Sequence, residues 1–130
     1  MKKLKFTIPI YDFDITLIQI EGKEDKEKVI PFMNAMKCQQ EFIDEVTDYI
    51  ERECVDGGET YRNFDMRKIL VIFCPMSNKK MQANIYSHEK RHIEDRVLEF
   101  SSVNDIESAG LLAGFLGGKF YEFWNKVTNK

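Results

Sequence analysis

The stretch Ile85-Tyr86-Ser87-His88-Glu89-Lys90-Arg91-His92 spells HExxH and holds both histidines of the chain. On a helix, residues four apart stand one turn above one another on a single face, so the two imidazoles can share one metal ion. Zinc suits them. It takes neutral imidazole nitrogen at about 2.0–2.1 Å, and a catalytic zinc needs three protein ligands plus an open position for water. The carboxylate of Glu89 then lies close to that water, where it can take a proton as the water attacks a carbonyl and pass it to the leaving amine. This is the chemistry of amide hydrolysis.

A third ligand must come from elsewhere. At 100° per residue, His88, Glu89 and His92 fall on the side of Met81, Ile85 and Ile93, while Lys90 and Arg91 fall largely opposite, where they can stay solvated. Glu107 lies 15 residues after His92, at the start of a following helix, with Ser101 to Asn104 as the turn. It shares a stripe with Gly110, Leu111, Gly114 and Gly118. Glycine in a helix costs roughly 1 kcal/mol relative to alanine, so a row of three on one face implies a close helix approach that brings Glu107 toward the imidazoles. Tight packing alone is the alternative reading of that row. Asp95 and Glu99 are rivals as third ligand. Turns of one straight helix are 5.4 Å apart, however, and ligands in line close poorly around a tetrahedral ion. Tyr86, Arg96 and Tyr121 are candidates for steadying an oxyanion. Against all of this stands a plain reading, in which His88, Glu89 and His92 sit on an exposed charged helix.

The elements that must position these groups are legible in outline. Leu4 to Ile20 is rich in β-branched and aromatic residues and predicts one long or two short strands, punctuated by Pro9. A charged turn from Glu21 to Lys28 follows, with Pro31 marking a helix start or a break. Phe42, Ile43, Val46, Tyr49 and Ile50 recur at helical spacing between Gln39 and Glu53, and Asp56-Gly57-Gly58 stops that helix. Glu59 to Asn63 predicts a short strand, and the run Ile69-Leu70-Val71-Ile72-Phe73 a central strand buried on both sides. Past Pro75, with Ser77 as N-cap, one helix runs to about Phe100 and a second from about Asn104 to Trp124. Phe115, Phe120, Tyr121, Phe123 and Trp124 are expected in the core. The order of elements argues a single α+β domain over residues 1–130, with the last two helices packed together.

Composition excludes several classes of function. The 130 residues carry a formal charge of -3, so no basic surface for nucleic acid is expected. Cys38, Cys54 and Cys74 are odd in number and widely spaced, which fits a reducing compartment and no thiolate metal knuckle. Asp12 and Asp14 interrupt the apolar run that a signal peptide would need after Met1-Lys2-Lys3, so a cytoplasmic location is expected. The longest apolar stretch, near Leu111 to Phe123, is too short and too broken to anchor in a membrane.

On these residues the chain resembles the gluzincin class of zinc peptidases, in which HExxH on one helix is completed by a glutamate on the next. It is more closely similar to small zincin-like proteins of Bacteroides-type bacteria, their mobile elements and phages. Those combine a strand opening like Ile8-Pro9-Ile10-Tyr11 with HExxH and a later E-x-x-A-x-L-x-G-x-L helix. Glu107, Leu112, Gly114 and Leu116 match that helix, and Gly110 replaces its alanine. The resemblance implies a zincin-like metallopeptidase fold, a zinc ion on His88, His92 and Glu107, Glu89 as general base, and a peptide or protein substrate. Lys90 and Arg91 depart from the uncharged pair usual in the motif. The alternative is a catalytically inactive zincin-like interaction or structural protein of a mobile element or phage.

Overall fold

The computed structural model describes residues 1–102 and 105–129. The N-terminal apolar stretch forms two strands, β1 (Lys2–Ile8) and β2 (Phe13–Gln19), paired antiparallel with Lys2 opposite Gln19 and Ile8 opposite Phe13. The connection is short and strained. Pro9 ends the first strand, and Ile10 and Asp12 both take positive φ, 70° and 59°. Ile10 is held outside the core at 96% exposed.

The Glu21 to Lys28 stretch is more ordered than a connector. Lys23–Asp25 makes one tight helical turn and α1 (Lys26–Ala35) follows, with Pro31 inside it. Pro31 lies on the exposed side, and the helix continues past it because Val29 and Met33 are buried one turn apart beneath. The next helix, α2 (Gln40–Glu51), buries Ile43, Val46 and Ile50 and leaves Glu41, Asp44 and Asp48 in solvent.

The two remaining strands, β3 (Gly58–Asn63) and β4 (Lys68–Phe73), are antiparallel, and β4 pairs in parallel with β2 from Asp14 opposite Lys68 to Gln19 opposite Phe73. The sheet order β1-β2-β4-β3 makes β4 interior and β3 an edge. Position in the sheet explains why Ile69 to Phe73 are all buried, as the unbroken apolar run predicts.

A helical layer covers each face of the sheet. Ile18, Ile20, Leu70 and Ile72 pack with Val29, Met33, Ile43 and Val46 of the first two helices. Ile15, Leu17, Ile69, Val71 and Phe73 pack on the other face against α3 (Lys79–Ser101) and α4 (Ile106–Thr128). The architecture is α+β, a mixed four-stranded sheet between two helical pairs. The N-cap of α3 is Asn78 rather than Ser77: the Asn78 side chain accepts from Met81 N–H at 2.9 Å, while Ser77 is engaged by Asp56. Asp105 caps α4, accepting from Ser108 N–H at 3.1 Å. The turn expected at Ser101 to Asn104 reaches positions 103 and 104, which lie outside the described residues, as does the expected start of α4 at Asn104. No described helix is long and apolar enough to cross a membrane.

Candidate metal centre

Three positions of α3 converge on a cleft against the edge strand. The Nε2 atoms of His88 and His92 are 2.9 Å apart, and a carboxylate oxygen of Glu89 completes a group whose ligand atoms all lie within 4.8 Å of one another. The cleft holds about 310 Å³ and is lined by His88, Glu89, His92 and Arg96 from α3 and by Gly58, Glu59, Thr60 and Arg62 from β3.

The local structure follows from two periodicities. β3 starts where β4 ends, with Gly58 opposite Phe73, and α3 also starts there and runs back, so helix and strand travel side by side in one direction. Alternate strand residues Gly58, Thr60 and Arg62 present to α3, while Tyr61 packs at a tilt against Phe42 of α2 with ring centroids 4.8 Å apart. Gly58 favours the approach: a Cβ there would stand 3.1 Å from the Cγ of Glu89, so that side chain would have to give by a few tenths of an ångström.

Glu89 is 6% exposed. Its Oε2 accepts a hydrogen bond from the Thr60 hydroxyl. Its Oε1 has no protein hydrogen-bond partner among the described residues and is not among the fully buried unpartnered atoms. The carboxyl of Glu59, next to Thr60 in β3, is raised above the ordinary glutamate range by burial, and further by the negative charges of Glu45 and Glu89.

The charged pair inside the motif stays out of the cleft. Lys90 is not solvated as its wheel position implies. It is half-buried against α4, with its Cε 3.7 Å from the position of a Cβ on Gly117, and its ammonium meets the buried Glu94 at 2.6 Å. Arg91 does lie in solvent and pairs with Asp95 at 3.3 Å, and Asp95 belongs neither to the ligand group nor to the cleft lining. Glu99 pairs with Arg96 at 3.3 Å. Of the proposed oxyanion partners, only Arg96 lines the cleft. Tyr86 is buried with its hydroxyl on Gln19 at 2.6 Å, and Tyr121 is 69% exposed on α4, outside the core expected for it.

Glu107 stands apart from the imidazoles. It is exposed in the first turn of α4 and belongs neither to the ligand group nor to the cleft lining. Two geometric facts separate them. Because Gly117 is level with Lys90 in the antiparallel helix pair, Glu107, ten residues earlier, is level with Phe100, roughly 12 Å along the axis beyond His92. Lys90 faces α4, and each histidine, two residues away on either side, points about 200° around the helix from it. The glycine row does not face α3 either: nothing lies within 4 Å of a Cβ at Gly110, Gly114 or Gly118. Leu112, Leu116, Phe120 and Phe123 occupy the buried face instead. Burying leucine and phenylalanine removes far more apolar area from water than burying glycine, so the rotation of α4 is set by its large residues and the glycines, with Glu107 among them, face outward.

The donors present could hold a metal ion, and their types are ones that zinc accepts. Two nitrogens each about 2.05 Å from a tetrahedral ion stand about 3.3 Å apart, so the imidazoles need to part by only a few tenths of an ångström to accept one. Imidazole and carboxylate are both zinc donors, and the Glu89 carboxylate offers an oxygen to the same group. Thr60 and Arg62, which the sequence reading did not single out, are brought in by the sheet; strand alternation alone signals that they share a face. No family model matches the chain, and neither a curated protein nor a solved structure is significantly similar to it.

Proposed function

We propose that the protein is a zinc-dependent hydrolase of peptide bonds, with a zincin-like arrangement in which His88 and His92 hold the ion and Glu89 is the general base. The observation that carries this reading is the convergence of the two Nε2 atoms, 2.9 Å apart, with the Glu89 carboxylate beside them in an accessible cleft. Bound zinc would supply a water acidic enough to ionise near neutral pH. Thr60 holds one oxygen of Glu89, leaving the other to take the proton of that water and pass it to the leaving amine. With Glu107 apart, water would fill the remaining positions. The substrate is a peptide or protein, and a cytoplasmic setting agrees with three unpaired cysteines.

The test is metal analysis of untagged protein: about one zinc per chain, falling to background in His88→Ala, with Glu89→Gln keeping the ion and losing hydrolysis. A second reading, a zincin-like binding protein of a mobile element or phage without catalysis, is favoured by the position of Glu107 and the shielding of Glu89. It predicts instead that Glu89→Gln releases the zinc, because Glu89 would be its third ligand.

A further inference from the structure

We propose that the cleft selects a substrate bearing a carboxylate about two residues past the reacting carbonyl, held by the guanidinium groups of Arg62 and Arg96. The inference rests on the hydrolytic reading of the same cleft and names its substrate class.

Both arginines line the cleft. Thr60 to Arg62 advances two strand residues, about 6.6 Å, away from the Thr60–Glu89 contact. His92 to Arg96 advances one helical turn, about 6 Å, and α3 and β3 run in the same direction, so the two side chains arrive at one end of the cleft. That offset equals about two residues of extended peptide. Neither guanidinium is committed to a buried partner. Arg62 forms no ion pair among the described residues and only overlies the Phe64 ring, 5.3 Å from its centroid. Arg96 meets Glu99, itself 62% exposed, at 3.3 Å, a solvent-facing pair that yields readily to a better acceptor.

Charge points the same way. The acidic residues of the lining are Glu59 and Glu89, of which Glu59 alternates to the strand face turned to α2, so a divalent ion on the histidines with the two guanidiniums leaves the cleft positive. Arginine is the side chain that matches a carboxylate in planar, two-pronged fashion. A volume of about 310 Å³ is at the small end for ligand sites and suits a short peptide terminus.

The experiment titrates N-acetyl-dialanine, its C-terminal amide, and N-acetyl-aspartyl-alaninamide into zinc-loaded and metal-free full-length protein, followed by NMR shifts of the imidazole and guanidinium groups. The expected result is at least tenfold tighter binding of the free acid than of the amide in zinc-loaded protein, with a smaller preference of the same sign without metal. Arg62→Gln and Arg96→Gln together should bring the ratio near one while zinc stoichiometry stays unchanged. A preference for the aspartyl peptide over the plain amide would also support carboxylate recognition, with an acidic side chain as its source. Equal binding of all three peptides, or a preference that survives the double variant, overturns the proposal. Failure of zinc to bind overturns the hydrolytic reading instead, and the metal-free titration still reads the arginines.

Discussion

The hydroxyl of Thr60 donates to Oε2 of Glu89, joining the edge strand to the middle of the HExxH motif across 29 residues of sequence. The contact fixes the carboxylate on the wall of the cleft and, with Gly58 beneath, sets the distance between α3 and the sheet edge. Removing the donor leaves a shielded carboxylate without its partner. Thr60→Val should lower stability by about 1–3 kcal/mol, whereas Thr60→Ser should stay close to wild type. Chemical denaturation of the three proteins side by side checks it.

Zinc should act as a stabilising ligand. At 100 times its dissociation constant an ion bound only by the folded state adds about 2.7 kcal/mol. Thermal melts should therefore rise with zinc in the wild type and remain unmoved in His88→Ala and His92→Ala. Glu107→Ala should keep the full rise, since its carboxylate lies outside the ligand group. A rise lost in that variant would place Glu107 on the metal after all.

The exposed glycines of α4 make a prediction of opposite sign to tight packing. Nothing stands within 4 Å of a Cβ at Gly110, Gly114 or Gly118. Each substitution to alanine should raise stability by about 0.5–1 kcal/mol through helix propensity alone. Gly58→Ala should do the reverse, because the new methyl meets Glu89 Cγ at 3.1 Å and Phe73 Cδ1 at 3.3 Å. Melting temperatures of the four variants decide between the two faces.

Glu59 should make the protein less stable as pH rises. Its carboxyl titrates above the ordinary value of 4.5 in the folded state, first because of burial and then because of Glu45 and Glu89. The folded state thus holds this proton more tightly than the unfolded one, so the contribution of Glu59 to stability is greatest below 4.5, declines as pH rises through the folded value, and stays lower at neutrality. Glu59→Gln should flatten that part of the profile and raise the neutral melting temperature by about 1–3 °C. Melts between pH 4 and 8 provide the comparison.

Much of the frame was readable along the chain because local periodicity decides it. The spacing of Phe42, Ile43, Val46 and Ile50 is that of α2, the run from Ile69 to Phe73 is that of an interior strand, and HExxH puts two imidazoles on one helical face whatever surrounds it. Pro31 misled, because two buried residues one turn apart, Val29 and Met33, outweigh one missing hydrogen bond on an exposed side. What needed the tertiary structure was the choice of neighbour. A helical wheel ranks faces but does not say which helix or strand lies against them, and on α4 the larger side chains turned the glycines and Glu107 outward. Thr60 and Arg62 reach the histidines only because β3 and α3 both begin at the end of β4 and run back together, a pairing set by sheet register and by no spacing within the motif itself.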